Sequence, residues 1–99
     1  SMLFEIYDTI NKQFIPVPNA KEVKIEGWKD LTFFIHRPIT REGFSNKSWR
    51  ISEASTGCGI GESQPTKSVA IEYATQKLAR FNTPEHRQII REKAKELRQ

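Results

Sequence analysis

The hydrophobic period of this chain changes once, between residues 53 and 66. Upstream, apolar and polar residues alternate; downstream, apolar residues recur every three or four positions. Leu3–Thr9 sets Phe4 and Ile6 on one side and Glu5 and Tyr7 on the other. Asn11–Lys12 reads as a turn and Phe14–Val17 as a returning strand, with Pro16 confining it to an edge. Val23 and Ile25 make a short half-exposed strand that Gly27 breaks. Leu31–His36 is apolar at successive positions, as in a central strand covered on both faces, and Pro38 ends it. Residues 39–47 form a long polar hairpin loop with Arg37, Arg41 and Lys47 at or near its base. Ser48–Glu53 is the next strand, with Trp49 and Ile51 inward and Arg50 and Ser52 outward.

Beyond residue 65 the pattern is helical. Ala70, Ile71, Ala74, Leu78 and Phe81 share one stripe. Thr83-Pro84-Glu85 is a helix start: a capping hydroxyl, a proline in the first turn and an acid beside the helix dipole. The second helix has a thin apolar face of Ile89, Ile90, Ala94 and Leu97. Such a face packs at the margin of a core or pairs with a second copy. Strands followed by helices predict one α+β domain over residues 2–99. Its expected parts are a four- to five-stranded, mostly antiparallel sheet (strands about 3–53), a glycine loop at 55–65, and helices at about 66–81 and 84–98. One helix packs on the sheet, which is expected to be covered on that face alone.

Hydrophobic residues are 36% of the chain, low for one small core, so self-association into a homo-oligomer is expected. No apolar run approaches the roughly eighteen residues of a membrane span. Ser1 reads as the scar of a cleaved tag, and Met2 leads straight into a strand pattern, so no cleavable leader is expected. One cysteine, Cys58, gives no disulfide framework and fits a reducing cytoplasm. The net charge of +4 is uneven: residues 1–33 carry −1 and residues 34–99 carry +5. That asymmetry favours an anionic partner, either a nucleotide, a nucleic acid or an acidic protein face.

The basic part also holds Gly57, Gly59 and Gly61, followed by Thr66, Lys67 and Ser68 at a helix start. Free amides and a helix dipole make such a junction a seat for phosphate. The glycine spacing matches neither a P-loop nor a dinucleotide fingerprint. Arg37, Arg50 and His36 are the further candidate contacts, on adjacent strand ends. The alternative for the glycines is a purely structural strand-to-helix connection. Neither His36 nor His86 has metal-ligand spacing to other donors, so no metal site is expected. Cys58 has no base in the pattern around it, and Glu53 and Glu62 read as solvated. No catalytic residue and no cofactor are expected. Trp28 and Phe44 are the aromatics expected to be exposed. Arg87, Arg91, Lys95 and Arg98 form a basic ridge, with Glu92 pairing Lys95 and Glu96 pairing Lys93.

The stretch from Gly59-Ile60-Gly61 through Thr66-Lys67-Ser68-Val69-Ala70 to Ala74 and Leu78 resembles the last strand-to-helix junction of double-stranded-RNA-binding domains. The same region, with Trp49, Ile51, Ser52, Thr56, Gly57, Ile60, Gly61, Thr66, Lys67, Ala70 and Ile71, is similar to small phage and prophage accessory proteins. That resemblance implies a mobile-element protein acting by binding, including sequestration of nucleotide immune signals (anti-defence). The expected function is therefore a non-enzymatic binder of a phosphate-bearing small ligand. The alternatives are a nucleic-acid-binding module and a phage protein that binds and inhibits a host protein.

Overall fold

The computed structural model describes residues 3–99; Ser1 and Met2 lie outside the described residues. Strands β1 (Glu5–Asp8) and β2 (Gln13–Pro16) form a hairpin. A second sheet holds β3 (Lys21–Val23) and β4 (Phe33–His36). A small antiparallel arm, β5 (Ile39–Thr40) and β6 (Gly43–Phe44), projects from the connection that follows. Strands β7 (Arg50–Glu53) and β8 (Cys58–Gly59) complete a four-stranded antiparallel sheet in the order β3-β4-β7-β8. Helices α1 (Lys67–Ala79) and α2 (Pro84–Leu97) close the chain. The α+β class and the order of strands before two C-terminal helices agree with the hydrophobic periods.

Successive side chains on a strand point to opposite faces, and here both faces are covered. Phe33, Ile35 and Ile51 pack with Ala70, Ala74 and Leu78 of α1, together with Ile25 and Trp28. The small alanines, Ala74 among them at 0% exposure, let the helix backbone approach the sheet. On the other face Phe34 packs with Phe4, Ile6 and Val17, and the Phe4 and Phe34 rings stack at 4.5 Å. Each such large apolar side chain contributes about 1.5–3 kcal/mol by leaving water. The β1–β2 hairpin thus forms a second layer over the sheet. This corrects the expectation of a sheet covered on one face, and it fits the doubly apolar pattern of β4.

Local signals explain the helix ends. Thr66 caps α1 by accepting from the Val69 amide, and Thr83 caps α2 by accepting from His86. No residue of α2 is fully buried; Ile90 packs at the margin of the α1-side core. Its two ends are tied by arginines instead. Arg87 bonds Asp30, Asn82 and the Gly27 carbonyl, and stands over the Trp28 ring. Arg98 donates to the carbonyls of Ala54 and Ser55.

Several side chains sit elsewhere than the sequence predicts. Trp28 is 1% exposed, because its indole N–H reaches the Leu78 carbonyl beneath α1. Phe81 is half-exposed, past the last turn of α1. Ser52 does point away from Ile51, but the hairpin covers that side and buries it. Glu53 is buried too, because the turn after β7 folds around its carboxylate. The basic ridge of α2 is broken, since Arg87 and Arg98 turn inward, and Glu92 takes its hydrogen bond from Gln88. Nor is the glycine region an open loop: Cys58–Gly59 pairs with β7, and Gln64 bridges Trp49.

Candidate functional site

The turn at residues 53–58 is built around one carboxylate. Glu53 accepts from the Ser55 and Thr56 amides and from both their hydroxyls, at 2.6–3.0 Å. The Gly57 amide donates to the Glu53 carbonyl, and the Cys58 amide to Thr56 Oγ1. Of the glycine amides that the sequence offers to a phosphate, that of Gly57 is thus engaged within the chain. Each glycine makes room for a neighbour. Gly57, at φ +67°, would bring a Cβ to 2.7 Å from the Tyr7 amide nitrogen. A Cβ on Gly59 would overlap the Arg50 guanidinium, and one on Gly61 would strike the Tyr73 ring.

The sheet sorts the remaining candidates onto two faces. Arg37 and Lys67 lie on the α1 side, where the Arg37 guanidinium carbon is 3.6 Å and Lys67 Nζ 4.6 Å from the Trp49 ring centroid. Thr66 and Ser68 are exposed beside Lys67, their hydroxyls 3.4 Å apart. His36 and Arg50, paired across β4 and β7, lie on the hairpin side. There they line a cleft of about 470 Å³ with Ser52, Gly57, Cys58 and Gly59. Ile6, Tyr7, Asp8, Thr9 and Ile10 of the hairpin form one wall, and Pro38 and Ile39 another.

Arg50 supplies the cation of this cleft. Its Nε donates to the Gly61 carbonyl at 2.9 Å, which fixes the guanidinium over Gly59. No carboxylate pairs with Arg50 among the described residues. Asp8 faces its own turn and accepts from Ile10 N, Asn11 N and Asn11 Nδ2. The Asn11 side chain is the main cause that lowers its pKa.

His36 and Ser52 form the floor, at 2% and 1% exposure. The Arg37 carbonyl, 2.9 Å from His36 Nδ1, can only accept, so Nδ1 carries the proton. In the neutral ring Nε2 then accepts from the Ser52 hydroxyl at 2.7 Å. Burial lowers the His36 pKa and the nearby Arg50 charge lowers it further, while the bond to Arg37 opposes them. The ring stands neutral at pH 7.

Ser52, Trp49 and Glu53 were not among the site candidates of the sequence. Their signal was indirect: a strand apolar on both faces requires a second cover, which buries whatever β7 presents to that side. Among the described residues no group of three or more His, Cys, Asp or Glu is placed to hold a metal ion. No described helix is long and apolar enough to cross a membrane. No protein-family model, no curated protein and no solved structure matches this chain.

Proposed function

We propose that this protein binds a small phosphate-bearing ligand, a nucleotide in particular, in the cleft between the β1–β2 hairpin and the sheet, and does so without turnover. The observation that carries the reading is the convergence of Arg50 with the His36–Ser52 floor in one cleft. Its volume lies within the roughly 300–1,000 Å³ of small-molecule sites. The Arg50 guanidinium has N–H groups beyond the one given to Gly61, in a fork suited to phosphate oxygens. Apolar walls from Ile6, Ile10 and Ile39 suit a base or sugar face. Binding without turnover is supported by the burial of Ser52, whose hydroxyl is 1% exposed and offers a bound ligand little surface to meet. Sequestration of a nucleotide signal is the role such a binder would serve.

The test is a thermal-shift screen of mono-, di- and cyclic nucleotides. A ligand at about a hundred times its Kd adds about 2.7 kcal/mol, a rise of about 10 °C or more in a domain of this size. Arg50→Gln is expected to abolish the shift, and Lys67→Ala, on the opposite face, to retain it. No shift with any nucleotide, or a shift lost in Lys67→Ala and kept in Arg50→Gln, overturns the proposal.

A further inference from the structure

The α1 side of the same sheet end carries a second, independent arrangement of charge. Arg37 stands over Trp49, and its Nη1 donates to the Ser48 carbonyl at 3.1 Å. Lys67 comes to the same ring from the start of α1. The β5–β6 arm is fastened next to them, through Ser45 N to the Pro38 carbonyl and the Ser45–Ser48 hydroxyl pair. The arm adds Arg41 and Lys47, both exposed, around a polar recess of about 540 Å³ that Phe44 also lines. Phe44 and its register partner Ile39 are 37% and 46% exposed.

Two features set this surface apart from an ordinary solvated face. Among the described residues, no carboxylate lies within ion-pair distance of Arg37, Arg41, Lys47 or Lys67. The surface gathers four cations, Arg37, Arg41, Lys47 and Lys67, against one carboxylate in the arm, Glu42, which also lines the recess. Like charges are also held together at a cost: Trp49 fixes two of them against one ring. An aromatic ring attracts cations, which offsets part of their mutual repulsion. The remaining repulsion is relieved by a polyanion that reaches several cations at once. Exposed Phe44 beside Arg41 and Lys47 adds a ring on which an unpaired base can stack.

We infer that the Arg37–Trp49–Lys67 cluster and the β5–β6 arm form a binding surface for single-stranded nucleic acid. The cations contact backbone phosphates and Phe44 stacks on a base. A duplex hides its base faces, so Phe44 favours the single strand. The Arg37–Trp49–Lys67 cluster lies across the sheet from the nucleotide cleft, which the arm borders through Ile39.

The test uses fluorescence anisotropy with an oligothymidylate of about twelve nucleotides, within the site sizes of single-strand binders, and a duplex of equal length. Contacts to three or four phosphates predict a slope of log K against log salt of about −2 to −3, at about −0.7 per phosphate. Arg37→Ala and Lys67→Ala are each expected to reduce the slope by about 0.7. Phe44→Ala is expected to weaken binding about tenfold with the slope unchanged, within the range for one lost stacking contact. Arg91→Ala on α2 serves as the control and is expected to change nothing. Failure of the oligothymidylate to bind at low salt overturns the inference. So does duplex binding as tight as single-strand binding, or a loss caused by Arg91→Ala and not by Arg37→Ala.

Discussion

The Ser52 hydroxyl donates to His36 Nε2 at 2.7 Å across two neighbouring strands, and both side chains are almost fully buried at the cleft floor beside the β1–β2 hairpin. Each satisfies the other with little help from water. With the Arg37 carbonyl on Nδ1, the ring has one donor and one acceptor, both used. A neutral histidine fits this site, and an imidazolium beside Arg50 does not.

Stability should therefore fall on acidification. The His36 pKa lies below its ordinary value of 6.5 in the folded protein, chiefly through burial. The unfolded chain binds the proton first, so stability is full above about pH 6.5 and declines as pH drops toward the folded pKa. Urea midpoints measured from pH 8 to pH 5 should show this decline. In His36→Gln, which cannot take up the proton, the slope near pH 6 should flatten; an unchanged slope assigns the decline to other groups.

Ser52→Ala leaves His36 Nε2 buried without a partner. The expected loss is about 1–3 kcal/mol in urea unfolding, the cost of an unsatisfied buried polar group. Ser52→Thr keeps the hydroxyl and should recover part of it.

Glu53→Gln should be among the most damaging single-atom changes in the molecule. The carboxylate accepts four hydrogen bonds from Ser55 and Thr56, one at Oε2 and three at Oε1, and an amide would turn a donor toward one or the other set. A loss of about 2–4 kcal/mol is expected, as for a broken buried network. Amide exchange at residues 55–58 should accelerate before that of α1.

Gly57→Ala meets both a left-handed backbone and the Tyr7 amide. The φ of +67° alone costs about 1–2 kcal/mol, and the clash pushes the hairpin off the turn. Gly43→Ala is the comparison: its φ is also positive, but its Cβ would meet open space. Thermal unfolding should rank Gly57→Ala well below Gly43→Ala; equal effects would mean that the contact with Tyr7 does not matter.

Arg87→Ala should free the start of α2. Its guanidinium holds Asp30, Asn82 and the Gly27 carbonyl, while no residue of the helix is fully buried. The expected readout is amide exchange roughly tenfold faster across residues 84–97, with α1 unchanged, because weakly buried elements open locally. High salt should mimic part of the effect, since the Asp30–Arg87 pair is exposed to screening.

Much of the architecture was legible in the order of residues. Alternation up to Glu53 and three-four spacing after Thr66 set strands before helices, and the hydroxyl of Thr83 followed by Pro84 marked the second helix start. The opposition of Ile51 to Ser52, and of Ile35 to His36, also follows from period two alone. These are local properties: backbone sterics, capping and side-chain direction act over a few residues.

What covers each face is not local, and only the tertiary structure decided it. Alternation places Ser52 and His36 on one side without saying whether water or protein lies there. The β1–β2 hairpin, twenty or more residues away in sequence, folds over that side and makes them a buried pair. The same step sends Arg50 into a cleft and leaves Arg37 and Lys67 on the opposite face. It also draws Glu53 inward, so that its carboxylate takes the Ser55 and Thr56 amides just before the glycines. Burial and pairing depend on distant segments meeting, which no single stretch of sequence specifies.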